Sequence, residues 1–215
     1  MPRRFPVGTL EMGWTRRVLC GAEIVDAVTL KPVIRDIKVR AEGLKNKPTA
    51  NKRGFHYWLV EGNAQPQRIS VSSLDGTFSD AESPPPVAPA KLVRIELAPR
   101  AGYPFPPGAT ALRGTIRLSQ FGPVRPIVGA SVRLQWFDGT DWFDAPTQVT
   151  TDDRGEFAAP LRLAPKHEPQ LTNGGMAVRL RVRRGSITRT SDEFALRAGQ
   201  VSPAAQPFIW NDLNP

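Results

Sequence analysis

The pattern of apolar and polar positions is clearest in the second half of the chain, where short alternating segments follow one another. Residues 176–183 alternate strictly, so that apolar side chains point to one side and the arginines between them point to the other. Residues 130–136 alternate in the same way and are followed by Asp138-Gly139, a dipeptide typical of tight hairpin turns. This period of two predicts half-buried strands of an antiparallel sheet.

Other short segments of this half complete the set of strands. They are residues 114–118, the return strand that begins at Trp142 and Phe143, and residues 148–151, 156–163 and 191–196. Between two of these strands, Asp152-Asp153-Arg154-Gly155 predicts a turn in which Gly155 takes a positive φ and Phe157 returns to the core. Strands at this spacing, with turn signals between them, predict an antiparallel β-sandwich.

The first half of the chain repeats this plan in a weaker form. The matching segments are 21–26 with 114–118, 36–41 with 130–135, 51–55 with 152–157, 68–71 with 179–182, and 92–97 with 194–196. The predicted fold class is therefore all-β, with two tandem immunoglobulin/transthyretin-like antiparallel β-sandwiches.

Two proline clusters suggest where the chain divides. Residues 83–89 and 103–108 are rich in proline and favour extended, stiff connections. We expect an N-terminal sandwich over residues 1–100, which includes the Pro-rich loop 83–89, and a C-terminal sandwich over residues 105–200. Residues 201–215 follow the last predicted strand and are expected to form an apolar docking tail.

Three pieces of the second half resemble a known domain family in their order and content. They are Arg113-Gly114-Thr115-Ile116, the run from Pro126 to Leu134, and the run from Val149 to Phe157. The chain resembles the carboxypeptidase regulatory-like domains, which are transthyretin-like β-sandwiches, most clearly over residues 113–197 and more weakly over residues 14–98. Within that family the domain is usually non-catalytic, so the resemblance implies a spacer, adhesion or assembly module. It indicates the fold better than the function, because such sandwiches carry many different functions.

Charge and residue usage narrow the function classes. The 215 residues include 29 Lys+Arg and 20 Asp+Glu, a net charge of +9 that favours an anionic partner such as an acidic protein surface. The charge is spread along the chain, which does not favour nucleic acid. One Cys and 2 His exclude a disulfide framework or a cysteine-based zinc site and leave little for acid–base chemistry. We therefore expect no enzyme activity, no cofactor and no metal.

The lengths of the apolar runs indicate whether the chain carries a membrane span or a signal peptide. No run approaches the ~20 apolar residues that span a bilayer, so no membrane span is expected. No apolar stretch as long as the core of a signal peptide follows the basic N-terminal residues, because Arg16 and Arg17 interrupt it. We expect synthesis in the cytoplasm without a signal peptide.

Two sets of residues are candidate interaction surfaces. Apolar residues that flank one hairpin turn or lie in the tail are expected at an interface, where aromatic side chains are enriched: Trp136, Phe137, Trp142, Phe143, Phe208, Ile209, Trp210 and Leu213. A basic stripe is expected to form an anion-binding face: Arg179, Arg181, Arg183 and Arg184.

Three further features have simpler expectations. Carboxylates near the sandwich tip either bind Ca²⁺ or, as is more usual for such residues, form turns: Asp138, Asp141, Asp144, Asp152 and Asp153. His56 is expected to face solvent or to pack at a sheet edge. Cys20 is expected to be a buried, unreactive thiol.

These observations favour a non-enzymatic structural protein that joins other subunits in a larger assembly. The narrower hypothesis is a component of a phage tail or of a phage-derived contractile injection particle. One alternative is a carbohydrate- or ligand-binding accessory module that uses the aromatic residues as stacking platforms. The other is a basic nucleic-acid-associated protein, whose binding would depend steeply on salt.

Overall fold

The computed structural model describes residues 18–59, 68–84, 92–163, 167–172 and 174–215, and its regular structure is almost entirely β. Most of the Pro-rich loop 83–89 lies outside these residues. One turn of 3₁₀ helix, Trp210–Asp212, occurs among them, and none of their helices is long or apolar enough to cross a membrane.

The strands are short and fall into two groups along the chain. The first half contains β1 (Val18–Asp26), β2 (Ile37–Ala41), β3 (Thr49–Ala50), β4 (Phe55–Leu59), β5 (Ile69–Ser73), β6 (Ala81–Glu82) and β7 (Leu92–Leu97). The second half contains β8 (Ala111–Arg117), β9 (Ser131–Phe137), β10 (Trp142–Asp144), β11 (Val149–Thr150), β12 (Glu156–Pro160), β13 (Leu171–Thr172), β14 (Gly175–Arg184), β15 (Ile187–Thr190), β16 (Phe194–Arg197), β17 (Val201–Pro203) and β18 (Phe208–Ile209).

Each group of strands forms two sheets with a hydrophobic core between them. In the first half, one sheet has the order β3-β4-β1-β7 and the other β2-β5-β6. In the second half, β10-β9-β14-β13 with β11, β15 and β16 forms one sheet, and β12-β8-β17 with β18 forms the other. The buried apolar residues form two separate clusters, one from residues 20–97 and one from residues 112–213. The prediction of an all-β chain with sandwich folds is confirmed.

The two halves share details of topology that the sequence pattern indicated only weakly. In both, the first strand lies between an antiparallel and a parallel partner: β1 lies between β4 and β7, and β8 lies between β12 and the pair β17 and β18. The turn before β4 and the turn before β12 are also built alike. In each, a side-chain oxygen, that of Asn51 or Asp152, accepts hydrogen bonds from backbone N–H groups two and four residues later.

The glycine of each turn has the conformation that this geometry requires. Gly54 has a φ of 80° and Gly155 a φ of 73°, in the left-handed region that side chains with a Cβ rarely adopt. Phe157, two residues after the second glycine, is 1% exposed. The predicted positive φ of Gly155 and the predicted burial of Phe157 are confirmed.

The C-terminal segment departs from the expectation of a free docking tail. β17 and β18 pair in parallel with β8, as β7 does with β1, so they close the second sandwich. Trp210 and Leu213, only 5% and 7% exposed, belong to its core. The second sandwich therefore extends past residue 200. The structural counterpart of residues 92–97 is the interrupted strand 201–209 rather than 194–196, because only the former pairs in parallel with the first strand of its half.

Candidate interaction surface

Alternation along β9 and β14 places four arginines on the outer face of their sheet. The inward residues of β14 are buried apolar side chains, so Arg179, Arg181 and Arg183 point away from the core. Across the strand pair, Arg181 lies opposite Arg133 of β9. We call the four side chains Arg133, Arg179, Arg181 and Arg183 the outer arginine face.

A hydrogen-bond network holds most of this face in place. Asp144 Oδ2 accepts from Arg181 Nη1 at 2.7 Å and from Arg133 Nη1 at 3.2 Å. Its Oδ1 accepts from Gln135 Nε2 at 2.7 Å, and Gln135 Oε1 in turn accepts from Arg179 Nε at 2.7 Å. Gln135 is buried, so these charge-assisted bonds fix the guanidinium groups at the sheet surface.

Arg179 also stacks on an aromatic ring. Its guanidinium carbon lies 4.4 Å from the centre of the Trp142 ring, within the range of a cation–π contact. The Trp142 ring packs against Phe137 at a centroid separation of 5.3 Å. Trp142 is therefore engaged by neighbours within the chain, which works against its use as an open stacking platform for sugars.

The outer arginine face contains a depression of about 250 Å³ that is lined in part by residues of this network. Its lining is polar throughout and consists of Ser131, Arg133, Asp144, Gln148, Arg181, Arg183 and Thr188. Three guanidinium groups face one carboxylate, which leaves a formal excess of two positive charges. Arg133 was not among the predicted site residues. The alternation of residues 130–136 already indicated that it points outward, but its contact with β14 is set by long-range pairing.

Arg184 does not belong to the outer arginine face. It follows Arg183 at the end of β14, pairs with Ile187 across the turn to β15, and is exposed. Alternation places its side chain on the opposite side of the strand. The expectation of one face that included Arg184 is corrected in this respect, and anion binding by the remaining arginines stays a prediction.

The aromatic residues of the β9–β10 hairpin divide between the two sides of the sheet. Trp136 is fully buried, with a relative exposure of 0%, because it shares the inward side of β9 with Val132 and Leu134. It is therefore not a surface residue, contrary to expectation. Phe143 is half-buried and stacks on His167 with ring centres 3.8 Å apart. Phe137 and Trp142, also half-buried, lie on the outer side.

The predicted interface residues of the tail are mostly used within the chain. Phe208 is half-buried and packs against Phe157 and Phe194, at centroid separations of 6.1 Å and 6.0 Å. Ile209 is half-buried opposite Arg117 of β8. Together with the buried Trp210 and Leu213, they are packing elements of the second sandwich, and the structure corrects their assignment to a docking tail.

Three of the five carboxylates at the sandwich tip, Asp138, Asp144 and Asp152, act in turns and ion pairs. Asp138 Oδ1 accepts from the backbone N–H groups of Thr140 and Asp141 at 2.9 Å, and these bonds, that from Asp141 first, lower its pKa. Asp152 forms the turn described above, and Asp144 pairs with the arginines. Over the described ranges of the chain, no group of three or more His, Cys, Asp or Glu residues is placed to hold a metal ion.

His56 and Cys20 both lie inside the first sandwich. His56 is 8% exposed and shares the inward side of β4 with Trp58, so the expectation that it faces solvent or a sheet edge is wrong. Burial lowers the pKa of His56, and its Nδ1 has no hydrogen-bond partner among the described residues. Cys20 is 1% exposed, as expected of a buried thiol, and burial raises its pKa.

A second cluster of polar contacts lies where the two halves of the chain meet. The hydroxyl of Tyr103 donates to Asp26 Oδ2 at 2.5 Å, and both residues are buried. Asp26 also accepts from the Val28 N–H and the Thr29 hydroxyl, each at 2.8 Å. Arg113 of β8 donates to the carbonyl oxygens of Ala101 and Tyr103. The segment that connects β7 to β8, residues 98–110, is thus hydrogen-bonded to β1 through Tyr103 and to β8 through Arg113.

Direct contacts between the halves accompany these bonds. The carbonyl oxygen of Ala27 accepts from Arg162 Nη1 at 3.2 Å and from the Thr147 hydroxyl at 3.4 Å. Arg162 Nη2 lies 3.4 Å from Glu96 Oε2. We call this set, with the Tyr103 and Arg113 contacts, the junction.

Comparison with known proteins adds only distant likenesses. The sequence matches no family model and no curated protein. Among solved structures it is similar to the TIE protein of Bacillus anthracis, with 12% identity, a TM-score of 0.28 and coverage of 88% of this chain and 33% of that one. It is also similar to GBS52, a minor pilin of Streptococcus agalactiae, with 7% identity, a TM-score of 0.30 and coverage of 86% and 93%.

A third similar structure is the shaft pilin spaA of Lactobacillus rhamnosus GG, with 10% identity, a TM-score of 0.27 and coverage of 88% and 96%. The chain spans about a third of the TIE protein (33%) and nearly all of the two pilins. TM-scores this low assign neither a family nor a function. Membership of the carboxypeptidase regulatory-like family therefore stays a prediction.

Proposed function

We propose that this chain is a non-enzymatic structural module that serves as a subunit of a larger assembly. The observation that carries the proposal is the buried hydrogen bond from Tyr103 to Asp26 at the junction. Two domains in one chain usually move relative to each other unless their interface is extensive. A bond to a buried carboxylate resists that movement, because breaking it leaves a polar group without its partner.

The other junction contacts also favour a fixed placement of the two halves. Arg162 bonds to a backbone carbonyl and a carboxylate of the first half, and Arg113 fastens the connecting segment to the second half. These bonds are directional, so they favour one relative placement of the two sandwiches. A fixed placement suits a subunit that must hold neighbours at set positions. The division into two sandwich units near residues 99–105 is part of this proposal.

The narrower assignment proposed is to a phage tail or a phage-derived contractile injection particle, made in the cytoplasm. It is supported by the β-rich, basic character of the chain. Neighbouring genes for a tail sheath and a baseplate would favour this assignment. Their absence around the gene would remove the narrower assignment while leaving the structural role open.

Sedimentation of the tagged full chain from its own cells tests the structural role. We expect the protein in fractions far heavier than its 23.6 kDa mass, and we expect Arg162→Ala to reduce the fraction incorporated while the purified variant stays folded. Arg154→Ala, an exposed arginine of the turn before β12, is the matched control and should be incorporated normally. A wild-type protein found only as a free monomer would contradict the proposal.

A further inference from the structure

We propose that the depression on the outer arginine face binds a tetrahedral oxyanion, the phosphate or sulfate group of a larger ligand. This goes beyond the structural role, because it assigns a ligand class to a defined site. Three neighbouring strands bring hydrogen-bond donors together in this depression, and the donors carry an excess of positive charge.

The donors come from adjacent strands at one level of the sheet. Arg183 of β14 lies opposite Ser131 of β9 on one side and opposite Thr188 of β15 on the other. Directly opposed residues have Cβ atoms about 4.5–5.5 Å apart, so a guanidinium and two hydroxyl groups share a small area. All three line the depression. An anion placed over Arg183 therefore meets donors from both flanking strands.

The next level of the sheet adds two more guanidinium groups. Arg181 lies opposite Arg133, an arrangement of like charges that costs stability unless a counter-charge is present. Asp144 supplies one negative charge and accepts from one nitrogen of each arginine. An arginine carries five N–H donors, so both keep donors for another acceptor. A bound anion would neutralise charge that Asp144 alone does not.

Two observations show donors left free by the fold. Arg183 is exposed and, over the described ranges, forms none of the ion pairs. Arg133 Nε is buried and has no hydrogen-bond partner in the described part of the chain. Free guanidinium groups beside hydroxyls, in a concave and positively charged area, are the donors that bind oxyanions.

The geometry favours a tetrahedral group over a second carboxylate. A phosphate or sulfate group presents three strong acceptor oxygens in different directions, and the donors here approach from β9, β14 and β15. A carboxylate presents two oxygens in one plane and fits a single guanidinium fork. Phosphate and sulfate share the required chemistry, and the experiment separates them.

The test is an NMR titration of the ¹⁵N-labelled full chain with sodium phosphate, sodium sulfate and sodium acetate at constant ionic strength. We expect phosphate or sulfate to shift the amide signals of residues 131–133, 181–183 and 187–189, with acetate much weaker. The relative affinities of phosphate and sulfate show which of the two groups the site prefers. Equal binding of acetate would overturn the choice of a tetrahedral group, and shifts spread over the whole surface would overturn the site.

Three variants make the test specific. Arg183→Ala should weaken binding about tenfold and Thr188→Val less, because each removes a donor without removing core contacts. Arg184→Ala is the matched control: it removes the same charge from the adjacent position on the other side of the strand, and it should change affinity less than about twofold. If Arg184→Ala weakens binding as much as Arg183→Ala, only general charge attracts the anion and the site is disproved.

A last titration, with an acidic peptide, distinguishes an acidic protein partner from a ligand that carries a phosphate or sulfate group. A hexaglutamate peptide that binds the same residues while phosphate and sulfate do not would overturn the proposal in favour of an acidic protein surface. The binding of phosphate, sulfate or the peptide does not depend on whether the chain is incorporated into a larger assembly. This proposal and the proposed structural role can therefore be contradicted separately.

Discussion

At the residue scale, Gly155 combines a backbone requirement with a steric one. Its φ is 73°, and a Cβ at this position would lie 2.5 Å from the carbonyl oxygen of Ile116 and 3.1 Å from Pro126 Cβ. We expect Gly155→Ala to lower the free energy of unfolding by about 2–4 kcal/mol. The cost of placing alanine in a left-handed conformation adds to the cost of the clash between its Cβ and the backbone. Urea denaturation measures the loss.

Gly129→Ala is the matched control for this prediction. Gly129 has nearly the same φ, 71°, but no atom within 4 Å of the position of a Cβ. The Gly129→Ala variant should therefore lose only the free energy of unfolding that the left-handed conformation costs, about 1 kcal/mol. Equal losses in the two variants would show that the contact with Ile116 does not contribute.

His56 makes the stability of the first sandwich sensitive to acid. Burial lowers its pKa in the folded state, so the unfolded chain binds a proton more readily. The neutral imidazole therefore makes its full contribution to the free energy of unfolding above about pH 6.5, the usual pKa of histidine. That contribution is lost as the pH falls below this value, because the unfolded chain then binds the proton first. We expect the urea midpoint to fall between pH 7 and pH 5, and to fall less in His56→Gln. The same fall in both proteins would exclude His56 as the cause.

At the scale of elements, the parallel closing strand of the second sandwich explains why the C-terminal segment is structural. Trp210 follows β18, is 5% exposed and belongs to the core. Arg189 of β15 covers its ring at 5.1 Å and donates to its carbonyl oxygen at 2.7 Å. We expect Trp210→Ala to cost about 3–5 kcal/mol, the usual range for truncating a buried tryptophan.

Trp142→Ala provides the matched control for the core position. Trp142 is half-buried on the outer side of its hairpin, so its loss should cost about 1 kcal/mol or less. Both values follow from thermal or urea unfolding monitored by circular dichroism. A cost of about 1 kcal/mol or less for Trp210→Ala would mean that the segment after residue 200 does not stabilise the second sandwich.

The same elements show what could be predicted from the sequence. The alternation of residues 176–183 lies within β14, and residues 130–136 lie almost entirely within β9, because half-buried strands impose a period of two. That alternation also places Trp136 inward, although its proximity to other aromatics suggested a surface. The strands β17 and β18 are only 3 and 2 residues long and pair with a strand some 90 positions earlier in the chain. No local pattern predicts such a partner.

The outer arginine face was predicted in part for the same reason. Arg179, Arg181 and Arg183 share one side of a strand whatever its neighbours are. Arg133, Asp144 and Thr188 join them only through the pairing of β9, β10 and β15 with the rest of the sheet. A single sequence does not contain the register of those pairings, so the depression could not be predicted.

At the scale of the whole molecule, the hydrogen bond between Tyr103 and Asp26 links the two halves. The sequence pattern predicts a proline-rich linker at Tyr103 and the end of a strand at Asp26. Removal of this hydrogen bond tests the junction without disturbing either core. Tyr103→Phe keeps the ring, which packs against Phe78 and Phe105 at centroid separations of 5.5 Å and 4.9 Å, and removes only the hydroxyl. We expect a loss of about 1–2 kcal/mol, because Asp26 keeps its two other donors.

The pH dependence of this loss identifies its cause. Burial first, and then the hydrogen bond to Asp26 and its charge, raise the pKa of Tyr103. The folded state therefore keeps the phenol neutral at pH values where the unfolded chain ionises, so its stabilising effect is complete below about pH 10 and declines as the pH rises above it. Between pH 9 and pH 11, the wild-type protein should lose more stability than Tyr103→Phe, and the two unfolding curves should converge. Parallel decline of both proteins would show that the hydroxyl of Tyr103 is not held by Asp26 in solution, and the junction would then rest on Arg113 and Arg162 alone.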